Sequence, residues 1–135
     1  MSNDGSSSLS VLGRELGQYL LICGLGFLSL RLMQNFWDDP LTMIAGSSVL
    51  VAGMLLVKRD LAITVTGIAV GILGPLGDMA AVRVGAWSYT TPHVEGVPAW
   101  LFLQWGAVGI FVAATYEFLR VLILQTDGHG SDSGS

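Results

Sequence analysis

Four long stretches of the chain are almost free of charge, and short polar segments separate them. The first covers residues 17–33 and carries a single charge, Arg31, near its far end. The second, 41–57, reads LTMIAGSSVLVAGMLLV and carries none; the third, 61–76, reads LAITVTGIAVGILGPL and carries none. The fourth, 99–124, is uncharged until Glu117 and Arg120 near its end. A bilayer core about 30 Å thick needs roughly 17–25 apolar helical residues. Backbone N–H and C=O groups in lipid must bond within their own segment, which makes each such stretch a helix. The pattern predicts an all-α integral membrane bundle of four transmembrane helices, occupying residues 11–125.

The segment ends carry local signals. Asp39-Pro40 places a capping carboxylate and then a proline at the first helical position, and Asp60 stands ready to cap the third helix. Only Lys58, Arg59 and Asp60 separate the second and third spans, so these two are expected to form a tight antiparallel hairpin. Gly74-Pro75 is expected to break or kink the third helix, since proline lacks an amide donor and crowds the preceding turn. A short extra helix over 75–84 would then lead into an ordered loop over 77–98. Segments 1–10 and 126–135 are rich in Ser, Gly and Asp, have almost nothing apolar to bury, and are expected to be disordered. The first span is followed by LRLMQ, with no small-x-small cleavage site, and is expected to be a retained helix.

Composition narrows the class further. Of 135 residues, 52% are hydrophobic and 12% charged. A soluble domain carries roughly 25% charged residues, so this chain lacks the surface for one. Six basic residues against ten acidic ones argue against a nucleic-acid partner and leave the lipid bilayer as the expected one. One cysteine, Cys23, allows neither an internal disulfide nor a Cys-rich zinc site. Acidic, lysine-poor composition fits a high-salt organism. Positive residues favour the cytoplasmic side. With Lys58 and Arg59 inside, alternation puts both termini in the cytoplasm, together with Arg14 and Arg120, and leaves Arg31 and Arg83 outside. The expected location is the cell membrane. Trp37, Trp87, Trp100 and Trp105 then gather at the outer interface, as anchors or as walls of a pocket.

Candidate chemistry concentrates between the third and fourth spans. Asp78 is either a helix-terminal carboxylate favoured by the dipole or a functional acid at the membrane surface. Asp78, Tyr89, His93 and Glu95 are the candidate catalytic groups; Arg83, Trp87, Trp100, Gln104 and Trp105 are candidates for ligand binding. His93-x-Glu95 is half of a metal site without its other half, so no metal centre is expected, and no motif calls for a cofactor. Glu117 and Arg120 are three apart and are expected to pair on one helix face. Gly67 and Gly71 form a G-x-x-x-G pair, open either to intramolecular packing or to a homo-oligomer.

The block GPLGD…GAWSYTTPHVEGVPAWLFLQWG, about a quarter of the chain, resembles one found in a family of small multi-pass membrane proteins of archaea and bacteria. The matching positions are Gly74, Pro75, Asp78, Gly85, Ala86, Trp87, Tyr89, Gly96, Val97, Pro98, Trp100 and Leu101. That family carries no activity to transfer. A fainter similarity is to the membrane hydratases of carotenoid biosynthesis, which place a G-x-x-Y segment before a G-V-P turn near a membrane carboxylate; this chain is shorter and lacks most of their spans. The expected function is structural, assembly or ligand-binding rather than enzymatic. The alternative is a lipid- or isoprenoid-modifying enzyme using Asp78. A dimeric proton-coupled transporter ranks third, because the second and third spans hold no charge.

Overall fold

The computed structural model describes residues 4–130. It contains four helices, α1 (Asp4–Phe36), α2 (Pro40–Val57), α3 (Leu61–Arg83) and α4 (Leu101–Gly130), and no strand among the described residues. All four are long and apolar enough to cross a membrane. Most of their large apolar side chains face outward: Leu41, Val49, Leu61, Leu73 and Leu124 are each more than 60% exposed. Water would penalise such a surface, whereas lipid does not.

The helix starts obey the capping signals. Asp39 is the N-cap of α2, accepting from the Thr42 backbone N–H at 3.2 Å and the Thr42 hydroxyl at 2.6 Å, with Pro40 in the first turn. Asp60 caps α3 through the Ile63 N–H at 2.9 Å. Two boundaries differ from expectation. α3 runs on through Pro75 to Arg83, so the separate helix at 75–84 is its last part and the loop begins after it. Proline disfavours helical geometry at the preceding residue largely through that residue's Cβ, and here the preceding residue is Gly74, which has none. Residues 4–10 and 126–130, expected to be irregular, continue α1 and α4, since adding residues to a formed helix costs little once it is nucleated. Residues 1–3 and 131–135 of those two segments lie outside the described residues.

The helices do not pack in chain order. α4 touches each of the other three; α1 and α2 also touch each other, and α3 lies almost wholly along α4. The expected α2–α3 hairpin is therefore a tight turn whose arms diverge. Small residues explain the choice. On α2, a Cβ built at Gly46 would lie 2.6 Å from Leu32 and one at Gly53 would lie 3.5 Å from Leu25, so α1 leucines fill its notches. On α3, a Cβ at Gly71 would lie 3.0 Å from the Phe102 carbonyl oxygen and 3.3 Å from Gly106 Cα, so the α3 and α4 backbones meet directly. Gly67 and Gly71 are thus buried against α4 within the monomer.

The core has two apolar clusters. One, toward the α2–α3 turn, holds Ile22, Met54, Ile63, Ala107, Ile110 and Ala114. The other, toward the α3–α4 loop, holds Met43, Met79, Val97, Trp100 and Leu101. Between them lies a polar layer. The Ser29 hydroxyl donates to Gln104 Oε1 at 2.6 Å, and Gln104 Nε2 donates to the Ser47 hydroxyl at 2.9 Å, joining α1, α4 and α2. Ser29 and Ser47 are 4% and 1% exposed, so these bonds satisfy groups that nothing else in an apolar interior would.

Candidate functional site

The α3–α4 loop folds back on the helix ends. Val94 and Val97 exchange both backbone hydrogen bonds, closing a two-residue turn with positive φ at Glu95 (46°) and Gly96 (88°). Glycine is needed at the second position for a further reason: a Cβ there would stand 2.7 Å from Val82 on α3. The turn seats Val97 and Pro98 in the interior and delivers Trp100 to the core at the start of α4.

Three of the expected site residues come together beneath this loop. Trp105 Nε1 donates to Asp78 Oδ2 at 2.9 Å. Tyr89 packs against the cluster that holds Trp100 and Trp105. Its hydroxyl is held above the ordinary tyrosine range, first by burial and then by the Asp78 carboxylate beside it. Asp78, Tyr89 and Trp105 therefore form one group beside the cluster that holds Trp100. Trp100, 4% exposed, joins the same cluster, and its Nε1 has no hydrogen-bond partner among the described residues. Gln104 faces the other way, into the polar layer with Ser29 and Ser47.

Arg83, His93 and Glu95 lie apart. Arg83 and Glu95 form a surface ion pair at 3.0 Å, with side chains 69% and 63% exposed. That pair pins the turn to the end of α3 and leaves Asp78 to Trp105. Trp87 is exposed but stands within hydrogen-bond reach of the Tyr89 hydroxyl; His93 is exposed, and its backbone N–H bonds to the Val97 carbonyl at 3.0 Å. Among the described residues, no three His, Cys, Asp or Glu side chains gather to hold a metal ion.

Two further sites were not anticipated. A cavity of about 300 Å³ opens between α1 and α4, walled by Cys23, Gly26, Phe27, Leu30, Ala107 and Phe111. Its polar groups are Ser29 and Gln104. Small residues on both helices, Gly26 and Ala107, create the gap, and that pairing is visible only once α1 is known to neighbour α4. The second site, of about 630 Å³, lies at the α2–α3 turn, where Lys58 bridges Glu15 of α1 and Glu117 of α4. Glu117 therefore pairs with Lys58, at 3.5 Å, and not with Arg120 as its spacing suggested. The C-cap position of Lys58 turns its side chain toward both acids. Tyr19 closes the same end: its hydroxyl donates to Thr115, whose own proton goes to the Phe111 carbonyl, and its ring stacks on Phe118 at 4.8 Å.

Compared with protein-family models, curated proteins and solved structures, the chain matches none of them.

Proposed function

We propose that this chain is a multi-pass membrane protein that holds an apolar, lipid-like ligand between α1 and α4, with both termini in the cytoplasm. The cavity carries this reading. Its volume, about 300 Å³, falls at the lower end of small-molecule pockets. Its walls are aliphatic and aromatic, and the polar atoms of Ser29 and Gln104 bond to each other and to Ser47, so the cavity suits an apolar chain. Lys58 and Arg59 in the shortest connection, and four tryptophans at the opposite end of the bundle, support the orientation.

Gly26→Leu tests the binding. A Cβ at Gly26 meets only Met54 Cε at 3.6 Å and Phe111 Cδ2 at 3.8 Å, so the backbone accepts a side chain that then fills the cavity. Mass spectrometry of the purified protein should find an isoprenoid or acyl lipid retained by the wild type and lost from Gly26→Leu. Equal retention in both overturns the assignment. Membrane-impermeant thiol labelling of Arg59→Cys and Thr90→Cys, each in a Cys23→Ser background, tests orientation; only Thr90→Cys should react in intact cells.

A second reading is favoured by the Asp78–Tyr89 juxtaposition. A carboxylate beside a phenol, with an indole N–H on the carboxylate, is a proton-transfer pair suited to an isoprenoid or another lipid at the outer interface. Asp78→Asn should then change the lipid extract of cells. Unchanged lipids with a stably folded protein remove this reading.

A further inference from the structure

We propose that the charged cavity at the α2–α3 turn binds a phosphate group, supplied by the headgroup of an anionic lipid. Six charged residues line it: Arg14, Glu15, Lys58, Arg59, Asp60 and Glu117. Formally they cancel, but their commitments differ. Glu15 and Glu117 both hold the ammonium of Lys58, which is 13% exposed and enclosed between them. Asp60 spends its carboxylate on the N-terminus of α3. The acids and the lysine are thus occupied by one another or by the helix end.

The arginines are not. Arg14 is 67% exposed and reaches Glu15 only at 3.7 Å. Arg59 is exposed and forms no ion pair among the described residues. Each guanidinium carries five N–H donors in a planar fork that matches phosphate oxygens. The N–H donors left over in the cavity are therefore those of guanidinium groups, and they come from two elements, α1 and the turn.

The surroundings favour a lipid over a free ion. Leu56 and Val57 also line the cavity, and Leu56 is 64% exposed on the outer surface of the bundle. A phosphodiester seated between Arg14 and Arg59 would lay its acyl chains along this apolar wall. Arginine side chains at the edge of a bilayer are attracted to anionic headgroups.

The experiment uses purified full-length protein in neutral detergent, challenged separately with phosphatidylglycerol, with diacylglycerol of the same acyl chains, and with inorganic phosphate, and read by native mass spectrometry. Wild type should hold phosphatidylglycerol at least tenfold more than diacylglycerol. Arg14→Gln/Arg59→Gln should lose about twenty-five-fold of that binding, given the roughly fivefold that each basic side chain contributes at an anionic surface. Both side chains are exposed, and unchanged helicity by circular dichroism verifies the fold. Arg120→Gln, which removes a cation outside the cavity, should bind as wild type does. Phosphatidylglycerol binding that millimolar inorganic phosphate fails to displace assigns the source to lipid. Displacement, with adducts of phosphate itself, keeps the chemistry and assigns the free ion. Diacylglycerol bound as tightly as phosphatidylglycerol, or undiminished binding by the double variant, overturns the proposal. Carbonate extraction of membranes tests separately whether the helices lie in lipid.

Discussion

Gly109→Ala and Gly17→Ala are the same chemical change, yet they should move stability in opposite directions. In lipid, where exposed side chains gain nothing by leaving solvent, van der Waals packing is a main source of helix association. Gly109 lies in the α3–α4 seam. A Cβ there would stand 2.7 Å from Val70 Cβ, 2.9 Å from the Thr66 carbonyl oxygen and 3.1 Å from Gly67 Cα. Carbon contacts are optimal near 3.5–4.0 Å, so the helices must part by roughly 0.5–1 Å, which forfeits about a quarter to a half of each contact they make. Two of the three obstructing atoms are backbone, so no rotamer change relieves the clash. Overpacking of this kind costs about 1–3 kcal/mol. Alanine recovers about 0.5–1 kcal/mol by restricting the unfolded chain, leaving a net loss of up to about 2.5 kcal/mol and about 1 kcal/mol at mid-range. At Gly17 a Cβ meets nothing within 4 Å, so only the gain remains, about 0.5–1 kcal/mol. Unfolding in mixed micelles with increasing sodium dodecyl sulfate, followed by far-ultraviolet ellipticity, measures both. If Gly109→Ala proves as stable as Gly17→Ala, α3 does not lie against α4 as described, and the glycine argument fails.

The same assay tests the polar layer. Gln104→Leu removes two interhelical hydrogen bonds, each worth about 0.6 kcal/mol in a membrane, and should cost about 1 kcal/mol; adding Ser29→Ala and Ser47→Ala should recover part of it, because buried hydroxyls are no longer left without partners. Tyr89 should ionise above the ordinary value of 10.0, and Asp78→Asn should lower its titration without restoring that value, since burial, the larger cause, persists; tyrosinate absorbance against pH reads this. Because the folded state holds this proton more tightly, its contribution to stability is complete below pH 10.0 and falls as pH rises beyond it. Asp39 shifts the opposite way, held below 3.8 by the Thr42 hydroxyl and then by the Thr42 N–H. Its contribution is complete above pH 3.8 and is lost as acid drives the pH down toward its folded value, so Asp39→Ala should flatten that part of a stability–pH profile while Asp39→Asn, still a cap, keeps the helix start.

The helices were legible because lipid leaves the backbone one option, and the length of an uncharged run states it. Asp39-Pro40 and Asp60 were legible because capping is local: donor and acceptor lie within one turn. Neighbour relations were not, because they depend on how surfaces match. The G-x-x-x-G pair of α3 announces a close approach without saying to what; Gly106 and Gly109 of α4 supply the answer only when the two stripes are laid together. Pro75 misled for a related reason. Its effect depends on its neighbours, and Gly74 gives both the proline ring and the Trp105 indole the room they need.

The candidate site divides along the same line. Asp78 and Trp105 stood out singly, but their pairing required α3 to continue past Pro75 and α4 to lie beside it, so a break at Pro75 hid the bond. Arg83 and Glu95, candidates for binding and for catalysis, pair with each other at the surface. Charge offers the clearest case of missed information. Glu15 of α1, Lys58 at the end of α2 and Glu117 of α4 sit at the same end of the bundle, and an unpaired charge at a membrane boundary needs a counter-ion. Topology alone puts those three together. The helical spacing of Glu117 and Arg120 looked sufficient because each was weighed within its own helix. Reading charges by depth, across helices, would have found the Lys58 bridge, and with it the two arginines that the bridge leaves uncommitted.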